Sequence, residues 1–105
     1  MSNTNNNIDS KYCLVLDFDI KNFDFVIFDE SQMKQAEQAL VDRVIEMIKD
    51  DQFYEAFDNV KLYRVEKGKS YIDRDNDRKQ INDAGELKEH YPELMKVFKE
   101  YLAKQ

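Results

Sequence analysis

Apolar and polar positions alternate most regularly between residues 12 and 29, YCLVLDFDIKNFDFVIFD. The even positions Tyr12, Leu14, Leu16, Phe18 and Ile20 are all apolar, the period of a strand with one buried face. Past Lys21 and Asn22 the odd positions Phe23, Phe25 and Ile27 take over as the apolar set. A two-residue loop at Lys21-Asn22 predicts a hairpin that pairs Ile20 with Phe23, Phe18 with Phe25 and Leu16 with Ile27 on one face. A slip of one residue sets Phe18 against Asp24 and turns one apolar set to water, so the pattern selects this register. Lys-Asn lacks the glycine that tight hairpin turns favour, which leaves a longer loop open.

The period then changes to that of a helix. Asp29, Glu30 and Ser31 are helix-starting residues, and Gln32 completes a capping box with Asp29. Met33, Ala36, Leu40, Val44, Met47 and Ile48, widened by Val41 and Ile45, form the apolar stripe of a helix that ends near Asp50. At 1.5 Å per residue it is roughly 30 Å long, enough to cross the hairpin. Phe53, Ala56 and Phe57 predict one or two more helical turns after a break. Residues 60–66 read as a third strand, with Val60 and Leu62 on one side and Tyr63 and Val65 nearer the other. A turn at 67–70 leads to a short fourth strand at Tyr71-Ile72, and 73–79 (DRDNDRK) is too charged to bury and reads as a loop. A helical turn over 86–91 carries Leu87 and Tyr91. Pro92 then opens a last helix, where its missing N–H costs nothing, with Leu94, Val97, Phe98, Tyr101 and Leu102 as its stripe. The expected fold is α+β of ββαββα type: antiparallel hairpins packed by a long central helix and a C-terminal helix. One domain spans 11–105, behind a polar, asparagine-rich stretch at 1–10 that offers too little apolar surface to offset the entropy of ordering it.

Composition narrows the setting. A chain of 105 residues with 42% apolar side chains supports one small core, and a homodimer sharing the hairpin edge is an alternative to a monomer. There is no run of about 18 apolar residues to span a bilayer and no secretory signal in 1–10. The single Cys13 forms no internal disulfide, so a cytoplasmic location is expected. The net charge of −6 is unevenly spread: 1–59 hold 13 acidic against 5 basic residues, whereas 60–105 hold 9 against 11. An acidic first half argues against contact with nucleic acid or an anionic membrane there, and suits a protein partner with a basic surface.

Several segments carry candidate chemistry. LVLDFD at 14–19 resembles the first motif of haloacid dehalogenase-like phosphatases. The resemblance implies Asp17 as nucleophile and Asp19 as acid/base, with magnesium between substrate and protein. It covers six residues, and the second strand starting at Phe23 departs from the parallel sheet that family requires. In the predicted register Asp19 lies opposite Asp24, where like charges repel, so Asp17, Asp19 and Asp24 read as an acidic, solvated face that contributes to binding. Asp73, Asp75 and Asp77 have the opening spacing of an EF-hand loop, but Arg78 and Ala84 stand where it needs Gly and Glu. Lys61, Arg64, Lys67, Lys69, Arg74, Arg78 and Lys79, interleaved with Tyr63 and Tyr71, form the one basic stretch, a candidate for stacking single-stranded bases. His90 has no serine or cysteine recognisably placed beside it, and Gly68 and Gly85 make no phosphate-cradling loop.

Asp42, Glu46 and Asp50 recur at i, i+4 and i+8 of the first helix, about 6 Å apart along one line, and Asp51 and Glu55 extend it. A spaced row of carboxylates imitates a nucleic-acid backbone toward a basic protein. Arg43 and Lys49 interrupt it, and an ordinary solvated helix face is the plainer alternative. In length, acidity and richness in Lys, Asp, Asn and Ile the chain resembles small accessory proteins encoded by bacteriophages and mobile elements. That resemblance is compositional and implies a host-interaction or inhibitory role through protein contacts. The leading expectation is a non-enzymatic protein-binding module without cofactor or catalytic residues. A nucleic-acid-binding accessory protein using 61–79, and a metal-dependent phosphotransferase or hydrolase using Asp17 and Asp19, are its alternatives.

Overall fold

The computed structural model describes residues 11–19, 22–68 and 78–105. Four strands, β1 (Tyr12–Asp19), β2 (Asp24–Asp29), β3 (Lys61–Glu66) and β4 (Arg78–Asp83), form one antiparallel sheet in the order β2-β1-β3-β4. Among the described residues the helices are α1 (Met33–Lys49), α2 (Phe53–Asn59), α3 (Ala84–Leu87) and α4 (Pro92–Ala103). The class is α+β, and the order of elements follows the ββαββα expectation. No described helix is long and apolar enough to cross a membrane.

β1 is one of the two inner strands, hydrogen-bonded to β2 on one side and β3 on the other. Both of its faces are covered: Cys13 is 4% exposed, and Leu14, Val15 and Leu16 are fully buried. Leu14 and Leu16 meet the helices in a core that includes Leu40, Val44, Leu62 and Leu94. Cys13 and Val15 form a second, smaller cluster with Val65 on the opposite face, against which Phe25 and Tyr63 pack. The split of β3 into a Leu62 side and a Tyr63/Val65 side is as the sequence predicts.

The hairpin register differs from the expected one. Asp19 lies opposite Asp24, but the pairing shifts by one at Phe18, so that Asp17 faces Phe25, Leu16 faces Val26 and Leu14 faces Phe28. This bulge exchanges the faces of β2. Phe28 packs on the helical core, Phe25 joins the second cluster, Ile27 is 45% exposed, and Phe23 stands outside the sheet with a left-handed φ of 60°. The reason is that a one-residue slip is forbidden only where a single face is buried. With β1 buried on both sides, either half of β2's alternation finds an apolar neighbour.

The helix signals hold locally. Asp29 accepts a hydrogen bond from the Ser31 backbone N–H at 2.9 Å, and Gln32 Oε1 accepts one from the Asp29 N–H at 2.8 Å. This capping box starts a 3-10 turn at Glu30–Gln32 that feeds α1. Ala36, Leu40, Val41, Val44 and Ile48 are the buried face of α1. Asp51, at φ 63°, breaks the chain between α1 and α2, a conformation Asp tolerates better than most side chains. The Phe53 ring then stacks on Tyr101 at 4.4 Å and meets Phe57 and Phe98, which fastens α2 to α4.

The C-terminal half needs three corrections. Arg78 and Lys79, expected in a loop, belong to β4, a strand with little apolar content that owes its form to pairing with β3. The helical turn expected over 86–91 begins earlier, at Ala84, because the Asp83 carboxylate caps the Glu86 N–H at 3.1 Å. Leu102 is 48% exposed and falls off the buried part of the α4 stripe, in which Leu94 is fully buried and Val97, Phe98 and Tyr101 partly so. Residues 1–10, the turn residues Ile20 and Lys21, the expected strand at Tyr71-Ile72 and the Asp73/Asp75/Asp77 spacing lie outside the described residues.

Candidate functional site: an acidic groove

Two acidic sets that are far apart in sequence converge. An open groove of about 360 Å³ is lined by Asp19 and Asp24 from the end of the hairpin, Glu46 and Asp50 from the last turn of α1, and Glu55 from α2. Phe18 and Met47 supply its apolar part, and Arg43, Gln52 and Asn59 complete the lining. The local folding is simple: Glu46 and Asp50 share a face of α1 because they are four apart, and the break at Asp51 turns α2 so that Glu55 joins them. The C-terminal end of α1, the negative end of its dipole, lies beside these carboxylates, with the Glu46, Met47 and Ile48 carbonyls bonded to the backbone N–H groups of residues 50–52.

Among the described residues Arg43 is the one cation of the groove lining, and it is engaged. Its Nη2 donates to Asp24 Oδ2 at 3.1 Å, and its guanidinium lies over the Phe18 ring, 4.4 Å from the centroid. On Asp19, Oδ2 accepts a hydrogen bond from Asn22 Nδ2 at 2.7 Å. The expected repulsion between Asp19 and Asp24 is thus relieved by one cation and one amide. Among the described residues the lining sets five carboxylates against one arginine, a negative balance. Among the described residues no three His, Cys, Asp or Glu side chains converge tightly enough to hold a metal ion. The carboxylates come from the hairpin, α1 and α2, an arrangement that fits several separate cationic side chains better than a single ion.

The predicted acidic residues therefore divide. Asp19, Asp24, Glu46, Asp50 and Glu55 come together. Asp42 is exposed but hydrogen-bonded by Gln38 at 2.9 Å and is not part of the groove lining. Asp51 lines a different depression, with Tyr101 and Lys104. Asp17 does not belong to a wet face: it is 5% exposed, on the side of Cys13 and Val15, with Phe25 and Lys61 as its cross-strand neighbours. Burial of β1 on both faces explains this, and it separates Asp17 from Asp19, which opens into the groove. The basic stretch is described only in part. Arg64 is held by Glu30 at 3.0 Å and stacks over Tyr12 at 4.2 Å, and Tyr63 packs against the buried second cluster rather than standing free as a stacking platform.

A second polar cluster escapes sequence reading. Glu37 on α1 accepts hydrogen bonds from the Tyr91 hydroxyl at 3.0 Å and from Asn82 Nδ2 at 3.1 Å, tying α1 to β4 and to the start of α4. Burial and the bond to Glu37 push the Tyr91 phenol above its ordinary range. The cluster lines an open depression of about 600 Å³ with His90 and Lys34. No local pattern announces it, because its members lie 45 and 54 residues apart.

Compared with protein-family models, with curated proteins and with solved structures, the chain shows no significant match.

Proposed function

We propose that this chain is a non-enzymatic accessory protein that binds a basic segment of another protein in the acidic groove. The observation that supports the reading most is the meeting of Asp19 and Asp24 with Glu46, Asp50 and Glu55, distant in sequence, in a groove that Phe18 and Met47 also line. A solvated surface needs no such convergence. Separated carboxylates present spaced acceptors to lysine and arginine, in the manner of a phosphate backbone, and Phe18 and Met47 offer contact area to their aliphatic stems. The compositional likeness to phage and mobile-element accessory proteins fits an inhibitor or modulator of a host factor, working in the cytoplasm of a bacterial host.

The test is capture of partners from a host lysate by the wild-type chain and by a Glu46→Lys/Asp50→Lys/Glu55→Lys variant, at about 0.05 M and about 0.5 M salt. The reading expects a partner that the wild type retains at low salt, releases at high salt, and that the variant does not retain. Identical partner sets for the two proteins would sink it.

A further inference from the structure

The groove opens at the start of β2, and β2 is a terminal strand of the sheet. Among the described residues nothing pairs with its outer edge. Edge strands are usually blunted by lysine, proline, a covering helix or a bulge on the strand itself. The β2 sequence, DFVIFD, contains no Lys, Pro or Gly. At its centre Val26 and Ile27 are 43% and 45% exposed, one toward each face of the sheet, and Phe23 just before it is 71% exposed. The opposite edge differs: β4 has Arg78 and Lys79 in its sequence and an irregular pairing with β3. By sequence, one edge strand carries the cations that commonly guard a sheet edge and the other does not.

We propose that the β2 edge accepts an extended segment of the partner protein as a fifth strand, with apolar side chains beside Val26 and Ile27 and basic residues that pass Asp24 and run into the acidic groove. This rests on the reading of the groove as a site for a basic protein segment, and it supplies the mode of recognition. In strand addition, main-chain hydrogen bonds give affinity and alternate side chains give selectivity. Six residues of β2 span roughly 20 Å, of which about half direct N–H and C=O outward.

Charge selects the occupant. A second copy pairing antiparallel to β2 about an axis between Val26 and Ile27 sets Asp24 opposite Asp29 at both ends, where like charges destabilise a sheet. It also joins two chains of net charge −6. A segment with basic residues at the Asp24 end reverses the sign of that contact and continues toward the four other carboxylates of the groove, Asp19, Glu46, Asp50 and Glu55.

The experiment uses the full chain labelled with 15N and a synthetic peptide of six alternating Val and Thr residues followed by three Lys, tested up to about 1 mM. Two control peptides carry alternate backbone N-methyl groups or a three-Glu tail. The inference expects amide shifts and slowed hydrogen exchange along Asp24–Asp29 together with shifts at Glu46, Asp50 and Glu55. It expects loss of the β2 effects with the N-methylated peptide, no binding of the Glu-tailed peptide, and affinity about tenfold lower for Val26→Lys/Ile27→Lys. Equal binding of the N-methylated peptide, with shifts confined to the groove, overturns the strand addition while leaving the groove reading intact. Shifts along β2 that ignore the sign of the tail overturn the groove reading as well. Sedimentation showing a wild-type dimer that Val26→Lys/Ile27→Lys dissolves overturns the choice of occupant in favour of a second copy.

Discussion

Arg43 holds the groove together and also weakens it, so replacing it moves two observables in opposite directions. The Arg43→Met variant keeps most of the aliphatic stem and removes the guanidinium, which breaks both the 3.1 Å ion pair with Asp24 and the stacking over Phe18. The ion pair is well solvated, with side chains 37% and 46% exposed, so it is worth about 0.2–1 kcal/mol. The cation–π contact adds about 0.5–1 kcal/mol at such a site. Together they set an expected loss of about 1 kcal/mol, or roughly 5 °C in Tm for a domain of this size. Binding of a cationic peptide moves the other way. Removing one positive charge about 8 Å from a bound lysine removes about 0.5 kcal/mol of repulsion in water, an affinity gain of about twofold that fades as salt rises. Thermal unfolding followed by circular dichroism measures the first effect, and titration with the Lys-tailed peptide at two ionic strengths measures the second. A double-mutant cycle with Asp24→Asn should return a coupling of about 0.2–1 kcal/mol. Additive single changes, an undiminished Tm, or weaker peptide binding by Arg43→Met would each refute the argument that Arg43 is both the restraint on Asp24 and a charge that opposes cationic ligands in the groove.

Two further outcomes test the fold that positions this site. Phe28→Ala should cost about 2 kcal/mol and Ile27→Ala about 1 kcal/mol or less in chemical denaturation, since Phe28 packs on the helical core and Ile27 is 45% exposed; the reverse order would restore the unbulged register. The Tyr91 phenol is raised by burial and by Glu37, so its folded form holds the proton more tightly than the unfolded chain does. Its contribution is therefore complete below pH 10.0, the ordinary tyrosine value, and is lost as pH rises beyond that through the folded value. Tyr91→Phe should flatten the decline of the urea midpoint above pH 10, and an unchanged slope would assign that decline to other groups.

How much of this was legible in the chain varies with the range of the interaction. The capping box at Asp29 and Gln32, the α1 stripe through Leu40 and Val44, the helix opened by Pro92 and the two-sided β3 are all encoded within a few residues, and each appears where the pattern places it. The half of the groove formed by Glu46 and Asp50 was equally visible, because helical spacing alone puts them on one face. Its other half was not, since nothing local says that the end of the hairpin comes to rest beside the last turn of α1. β4 was hidden for a related reason: a strand of Arg, Lys, Gln and Asn has almost no alternation of its own and is made a strand by β3.

The sequence by itself determined the periods, and through them the kind and order of the elements, because strand and helix formation respond to neighbours two to four residues away. Only the tertiary structure decided which strands lie inside the sheet and what covers their faces, and the rest follows from that. With the helices on one face and Phe25, Tyr63 and Val65 of its neighbouring strands on the other, β1 is buried on both faces, Asp17 leaves solvent, the register of β2 is free to slip past Phe18, and among the described residues nothing pairs with the outer edge of β2. One signal of this stood in the chain from the outset: the unbroken apolar run Cys13, Leu14, Val15, Leu16 is the mark of a strand covered on both sides, and it outweighs the alternation around it.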